Sequence, residues 1–336
     1  MKGVRWIEPQ FRVGLVSIII PTYNRADLIC ETLDSVRSQT YRPLEIIVVD
    51  DGSDDKTAEV VEAWKKTHSV ESDLEVRPYM RPHAGACAAR NWGVIRSQGE
   101  FIQFLDSDDL LAPDKIRLQV KTAREHPNTI ICASWQHFQV LNGEPRYSVP
   151  LEHMDPQGDV IEQWLEGKYL APHSLLWSRN ILERIGPWNE NLNVNQDGEY
   201  FLRAVMQGFL LKHHPNGAVY KRIDGNGRSI SRTYSPEKVV SHEQVLEQLS
   251  HELRARGLEE KYRVPMASAW YGLARRYAIS SPIEASVFYR KFKSLAPHAR
   301  IPGTFANHIL THFLGVRRKE LLSAWVHKIA GLVSKQ

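Results

Sequence analysis

Phe101-Ile102-Gln103-Phe104-Leu105-Asp106-Ser107-Asp108-Asp109 is an apolar run that ends in three carboxylates within four residues. A short apolar run of this kind reads as a buried strand. Acidic residues at its end stand where a buried sheet stops and a cleft can open. Carboxylates this crowded repel one another. A hard divalent cation such as Mg²⁺ or Mn²⁺, which prefers oxygen ligands, relieves that repulsion and can hold a diphosphate. The same residues also suit a solvated acidic turn or a helix N-cap, both favoured by Asp. Taken alone, the cluster is compatible with either.

Working outward, the flanking segments alternate. Val16-Ser17-Ile18-Ile19-Ile20 is a β-branched run expected to stop at Pro21, and Ala26 to Gln39 carries a helical face of Leu28, Thr32, Leu33 and Val36. Leu44 to Val49 reads as a second buried strand, ending in Asp50-Asp51-Gly52-Ser53. Thr57 to Lys66 follows as a helix, then Leu74 to Arg77 as a weak strand. Ala86 to Arg96 is a helix entered after Gly85. Lys115 to Arg124 is a helix after Pro113, and Ile130 to Trp135 another strand. Strands alternating with helices of this length imply an α/β fold of parallel βαβ units with helices on both faces. Ligands collect at the carboxyl ends of such strands. Three of those ends are polar: Thr22-Tyr23-Asn24, Asp50-Asp51 and Asp106 to Asp109. They are expected to meet in one crevice.

The second half reads differently. Pro145 to Pro172 is expected to be irregular. Asn195-Gln196-Asp197-Gly198-Glu199 leads into a helix-like stretch from Tyr200 to Met206, and from Pro236 the pattern is helical and charged. The expected organisation is an N-terminal extension over 1–12, one domain over 13–235 and a helical region over 236–336. The 336 residues are 42% hydrophobic and 24% charged, the balance of a globular protein with a sizeable core. A net charge of +4 is mild for this length and gives no reason to expect nucleic acid. Cys30, Cys87 and Cys132 lie far apart in no zinc or redox spacing, which fits a reduced, cytoplasmic setting. Residues 1–12 lack the apolar core of a signal peptide, and no run approaches the ~20 apolar residues needed to span a bilayer.

Chemistry-bearing residues can be placed beside plainer roles. An Asp50-Asp51 carboxylate can accept hydrogen bonds from a nucleobase or ribose, or simply shape a turn. There is no P-loop and no dinucleotide fingerprint, so phosphates would be held by metal and side chains. Arg90 and His83 are donors near Gly85, although Arg90 equally suits a structural ion pair. Asp197 and Glu199, at a helix start, sit near the positive end of the dipole. That placement suits a general base as well as an N-cap. Asp109 is expected to cap the turn into the next helix, and the pair His213-His214 to be structural or exposed. Leu321, Leu322, Trp325, Val326, Ile329, Leu332 and Val333 can share one helical face with Arg317, Arg318, Lys319 and Lys328 largely outside it. Such a helix can lie on an anionic membrane surface or dock on the domain.

Together these segments resemble the family 2 glycosyltransferases of the GT-A fold. Four stretches carry the resemblance: Val16 to Arg25 (VSIIIPTYNR), Ile47 to Ser53 (IVVDDGS), Ala89 to Gly93 (ARNWG) with Gly99 to Asp109 (GEFIQFLDSDD), and Gln196 to Arg203 (QDGEYFLR). It implies a Rossmann-like, mixed but mostly parallel sheet flanked by helices, with a C-terminal helical extension. It implies a nucleotide-sugar site of Pro21, Tyr23, Asp51, Arg90, Asp106 and Ser107. It also implies a DXD pair, Asp108 and Asp106, for Mn²⁺ or Mg²⁺, and Asp197 as catalytic base. The expected reaction is inverting transfer from a nucleoside-diphosphate sugar, UDP-linked by family precedent, to a hydroxyl of a glycan or lipid-linked acceptor. Two departures stand out. Gln196 replaces a frequent Glu, and Asp224 lies where relatives often carry a histidine near the metal. A non-catalytic nucleotide-sugar-binding module, or a metal-dependent nucleotidyltransferase, would use the same cleft. The expected location is cytoplasmic, with peripheral membrane contact through the last helix as one option.

Overall fold

The computed structural model describes residues 6–7, 11–68, 73–141, 144–148, 154–223 and 235–297. They divide into two units, one of residues 1–160 and 168–230, the other of residues 161–167 and 231–336. Asp224 and the helix proposed over Leu321 to Val333 lie outside the described residues.

The first unit is built on β1 (Arg12–Thr22), β2 (Leu44–Asp50), β3 (Leu74–Met80) and β4 (Gly99–Phe104). These four pair in parallel in the order β3-β2-β1-β4. β1 from Gly14 onward and all of β2 are buried on both faces, which is why they read as near-continuous apolar runs rather than alternating ones. One face of β1 turns Val16, Ile18 and Ile20 into a core with Ile29, Leu33 and Val36 of α1 (Ile29–Arg37) and Val61 and Trp64 of α2 (Thr57–His68). The other face receives α3 (Ala86–Arg96), packed so closely that a Cβ at Gly93 would collide with Ile19. The core therefore lies on both sides of the central strands.

Beyond β4 the sheet changes character. β5 (Leu110–Leu111), α4 (Lys115–Glu125), β6 (Thr129–Leu141), β7 (Glu144–Tyr147), α5 (Val160–Leu165), β8 (Leu175–Ser178), α6 (Arg179–Ile185), α7 (Gln196–Met206) and β9 (Leu210–Arg222) follow in chain order. The order continues β4-β8-β6-β9-β5, with β7 on β6. β8 is antiparallel to β4 and β6, while β9 runs parallel to β6. The whole is a nine-stranded mixed sheet. In the second unit, α8 (Pro236–Ala255), α9 (Arg263–Tyr277) and α10 (Pro282–Leu295) bury Trp270, Tyr271, Phe288 and Phe292.

Several expectations need correction. β1 does not stop at Pro21 but continues to Thr22, with Pro21 opposite Val49. Ile19 O and Thr22 O accept from opposite sides, so the position of Pro21 faces β4, whose ladder has already ended. The missing N–H therefore breaks no pair. The first helix starts at Ile29, not Ala26, because Arg25, Ala26 and Thr57 are engaged in ties between loops. The segment 145–172 is not wholly irregular, since it holds most of β7 and all of α5.

Candidate active site

The polar ends of β1, β2 and β4 converge. Asp51, just past β2 and 3% exposed, accepts hydrogen bonds from the backbone N–H of Ala84 (3.2 Å) and Gly85 (2.7 Å). Arg81 Nε (3.5 Å) and His83 Nδ1 (3.0 Å) flank the same carboxylate. Asp51 thus ties the 81–85 loop to the strand end. Gly52, at φ +81°, lets that loop pass, since a Cβ there would meet His83 N at 2.9 Å. Tyr23, half-exposed at the end of β1, tilts against the His83 ring with centroids 4.5 Å apart. Pro21 beneath it is buried. Two residues on, Arg25 Nε lies 3.4 Å from Asp108 Oδ2. The β1 loop therefore touches the ends of both neighbouring strands.

At the β4 end the three carboxylates face different partners. Asp106 Oδ1 accepts from Arg90 Nη2 at 2.8 Å. Burial alone would push Asp106 up, but Arg90, with His173 and Lys221 behind it, holds the carboxyl below its usual range. Asp108 goes the other way. Burial and the charges of Asp109 and Asp106 push it up to about 6, with Arg25 only partly opposing. Ser107 is buried between them. Asp109 does not cap the turn into α4. It is 2% exposed, accepts from the backbone N–H of Arg222 (2.7 Å) and faces His173 Nδ1 at 3.0 Å. His173 is itself fully buried, and neither ring nitrogen makes a well-aligned hydrogen bond. Asp106, Asp109 and His173 offer ligand atoms within 4.8 Å of one another, a second grouping that shares Asp106 with the DXD pair.

Arg90 joins this cluster to α7. One arm holds Asp106, and the other donates to Gln196 Oε1 at 3.3 Å, while the guanidinium lies 4.7 Å from the Trp188 ring centroid. The neighbouring Asn91 clamps Trp188 by donating to its carbonyl (3.0 Å) and accepting from its N–H (2.8 Å). Trp188 then stacks on Tyr200 of α7, 4.1 Å away and nearly parallel. The Arg90-Asn91 pair thus anchors the start of α7 beside the β4 carboxylates. Arg90 is only 6% exposed and both its terminal nitrogens are engaged, so it serves as an ion-pair partner rather than a free donor. The α7 helix begins at Gln196, so Asp197 and Glu199 lie within its first turn and not ahead of it. Glu199 is taken by Arg203 at 2.6 Å, whereas Asp197 is half-buried and its charge bears on the Tyr169 phenol.

Five contributors escaped the sequence reading. Arg25 does carry a signal, its place directly after Tyr23-Asn24. Tyr169, His173, Trp188 and Lys221 carry no local signal, because their partners come from distant segments.

A family model described as glycosyl transferase family 2 matches residues 17–186. A Rickettsia conorii protein named an uncharacterized glycosyltransferase is 40% identical over 183 residues, which are 54% of this chain and 28% of that protein. The putative glycosyltransferase EpsH of Bacillus subtilis is 31% identical over 170 residues, 50% of this chain and 48% of that protein. The chain spans about a quarter to a half of the length of the curated relatives it matches. Among solved structures, Staphylococcus aureus TarS 1-349 in complex with UDP-GlcNAc superposes with a TM-score of 0.66 at 18% identity, over 93% of this chain and 91% of that one. The mannosyltransferase PcManGT from Pyrobaculum calidifontis, in complex with GDP-Man and Mn²⁺, gives 0.56 at 20% identity, over 98% and 91%.

Proposed function

The chain belongs to glycosyl transferase family 2 and has the GT-A fold, and from that premise we propose that it transfers a hexosyl group from a nucleoside-diphosphate sugar to an acceptor hydroxyl with inversion. The observation that carries this reading is Arg90, which links the β4 carboxylates to the start of α7 and so sets Asp106 and Asp197 on one site. Tyr23 and His83 form an aromatic lip for the base over Pro21, and Asp51 beneath them braces the loop and takes the base or ribose. Asp106 and Ser107 lie toward the nucleotide, and Arg90 acts through Asp106.

The residues present fit a hard divalent cation. Three carboxylates crowd one strand end without a thiolate, and burial with the charges of Asp109 and Asp106 raises Asp108, which supports a place for an added cation there. Asp108 with Asp106 would hold it, because Asp109 already serves Arg222 and His173. A bound Mn²⁺ or Mg²⁺ supplies Lewis-acid stabilisation of the departing diphosphate. Asp197 takes the proton from the acceptor hydroxyl. The freed oxygen bonds to the anomeric carbon from the face opposite the diphosphate, and the bond to the diphosphate breaks with its electron pair leaving on phosphate oxygen. Gln196 needs no charge here, since it accepts from Arg90 and donates to Leu192 O.

The neighbours solved with UDP-GlcNAc and GDP-Man support a nucleotide-sugar donor, with UDP the first choice, and a glycan or lipid-linked acceptor. Residues 13–235 would form the catalytic domain and 236–336 a helical domain. Among the described residues no helix is long and apolar enough to cross a membrane. A cytoplasmic enzyme meeting a membrane surface through the amphipathic stretch Leu321 to Val333, as read from the sequence, completes the proposal.

Thermal shift with UDP-GlcNAc and GDP-Man, with and without Mn²⁺, tests it. Stabilisation is expected that requires Mn²⁺ and disappears in Asp108→Asn. Absence of any nucleotide-dependent shift would defeat the donor-site assignment.

A further inference from the structure

Arg222 closes β9, and it grips the carboxylate turn after β4 in three ways. Its backbone N–H donates to Asp109 Oδ1 at 2.7 Å. Its side-chain Nε donates to the carbonyl of Asp108 at 3.0 Å. Its Nη2 donates to Glu31 Oε2 of α1 at 2.6 Å. The guanidinium lies 4.5 Å from the ring centroid of buried Phe138, its opposite in the β6–β9 register. The Arg222 side chain is only 9% exposed, so packing as well as hydrogen bonding fixes it. Its planar fork presents donors in fixed directions, and a single ammonium does not. The hold on Asp108 runs through the main chain and uses neither carboxylate oxygen. That carboxylate is 31% exposed, with Arg25 at 3.4 Å.

We propose that Arg222 is the positioning residue of the metal-binding turn: its side chain clamps the Asp108 backbone to α1 and so presets the Asp108 carboxylate for a divalent cation. The inference rests on the reading of Asp108 and Asp106 as metal ligands. Asp106 is oriented from α3 by Arg90. Asp108 is oriented from β9 by Arg222, so the two ligands are set by different elements. A residue that orients a ligand without touching the metal acts on metal affinity, typically by ~10–100-fold. Glu31 is half-exposed, so its ion pair is the weaker arm of the clamp.

Arg222→Met keeps the backbone N–H and apolar contact with Phe138 and removes both side-chain bonds. In a Mn²⁺ titration of the full chain without nucleotide, read by the EPR signal of free Mn²⁺, affinity should fall roughly tenfold. Arg222→Lys keeps the charge but not the fork, and should stay clearly weaker than the parent. Full affinity in Arg222→Lys would show that charge alone matters and would overturn the clamp. Hydrogen exchange of the metal-free protein is a readout that needs no cation. The Asp109 N–H, bonded to Asp106 O at 3.1 Å across the turn, should exchange faster in Arg222→Met. It should be unchanged in the control Lys291→Met, which loses two ion pairs in the second unit. Unchanged exchange, or unchanged affinity, in Arg222→Met would overturn the proposal. A parent chain that binds no Mn²⁺ would instead defeat the metal reading, with the exchange still reporting whether Arg222 holds the turn.

Discussion

The β1–β4 half of the sheet and the β6–β9 half are built on different principles. In the first, strands are parallel, β1, β2 and β4 are largely buried on both faces, and their ends carry side chains that each hold more than one partner, as at Asp51 and Arg90. In the second, β6 runs out to half-exposed Val140 and Leu141, β9 is mostly half-buried, and Tyr147 and Tyr169 are partly open. Over-determined ends suit a site that always meets the same nucleotide and phosphates. Loosely covered strands suit a surface that differs between relatives with different acceptors. On the proposed reading, donor chemistry belongs to the first half and acceptor choice to the second, and Arg90 ties the β4 carboxylates to the start of α7.

The largest expected effect lies at the junction. Asp197→Asn should lower turnover by ~10²–10⁴, the usual worth of a positioned base, and leave the nucleotide-dependent thermal shift unchanged. Loss of nucleotide binding in that variant would put Asp197 on the donor side and break the division. Next comes Arg90→Met, which leaves the partly exposed Asp106 without its cation and frees Gln196. Removing one partner of a fully buried pair costs about 3–5 kcal/mol, and the partial exposure of Asp106 lowers that figure, so calorimetry should show a moderate drop in Tm. An unchanged Tm would mean that Asp106 does not depend on Arg90 for its charge balance.

The two halves also differ in how much of them could be read from sequence. The α3 helix was expected over Ala86 to Arg96 and is found there, because Gly85 opens it and its small residues pack locally on β1 and β2. β9 was missed. His213-His214-Pro215-Asn216-Gly217 looks like a turn, and only pairing with β6, through a register shift at Ala133 and Ser134, makes it a strand. Asp109 reads as a cap on local chemistry. Its burial depends on Arg222 and His173, which no local window contains. Tyr169 was invisible for the same reason. The three polar strand ends were legible because parallel βαβ topology brings them together whatever follows.

A smaller effect tests the donor lip alone. Tyr23→Ala removes the ring that meets His83, and base stacking is worth ~1–3 kcal/mol. Calorimetric titration should show weaker UDP binding, with Mn²⁺ binding at Asp108 unaffected; equal losses in both would mean that the β1 loop, through Arg25, governs the carboxylates as well.

The smallest effect is a pH dependence at Asp108. Its carboxyl is pushed up to about 6 by burial, Asp109 and Asp106, with Arg25 opposing, so protons compete with a cation below that pH. Mn²⁺ affinity should rise through about 6, flatten above 7, and be roughly tenfold weaker at pH 5 than on the plateau. The stability sign is the reverse. A carboxyl raised in the fold costs the metal-free protein nothing below its unfolded range, progressively more up to about 6, and a constant amount above. Asp108→Asn should therefore stabilise the metal-free protein at pH 7.5 by on the order of 1 kcal/mol, after discounting for the partial exposure of the side chain, and so raise its Tm. That gain should shrink as the pH falls from 6 toward 4. A variant less stable than the parent at pH 7.5 would show that the Arg25–Asp108 pair braces the strand ends, which would make the donor half depend on its own metal ligand for rigidity.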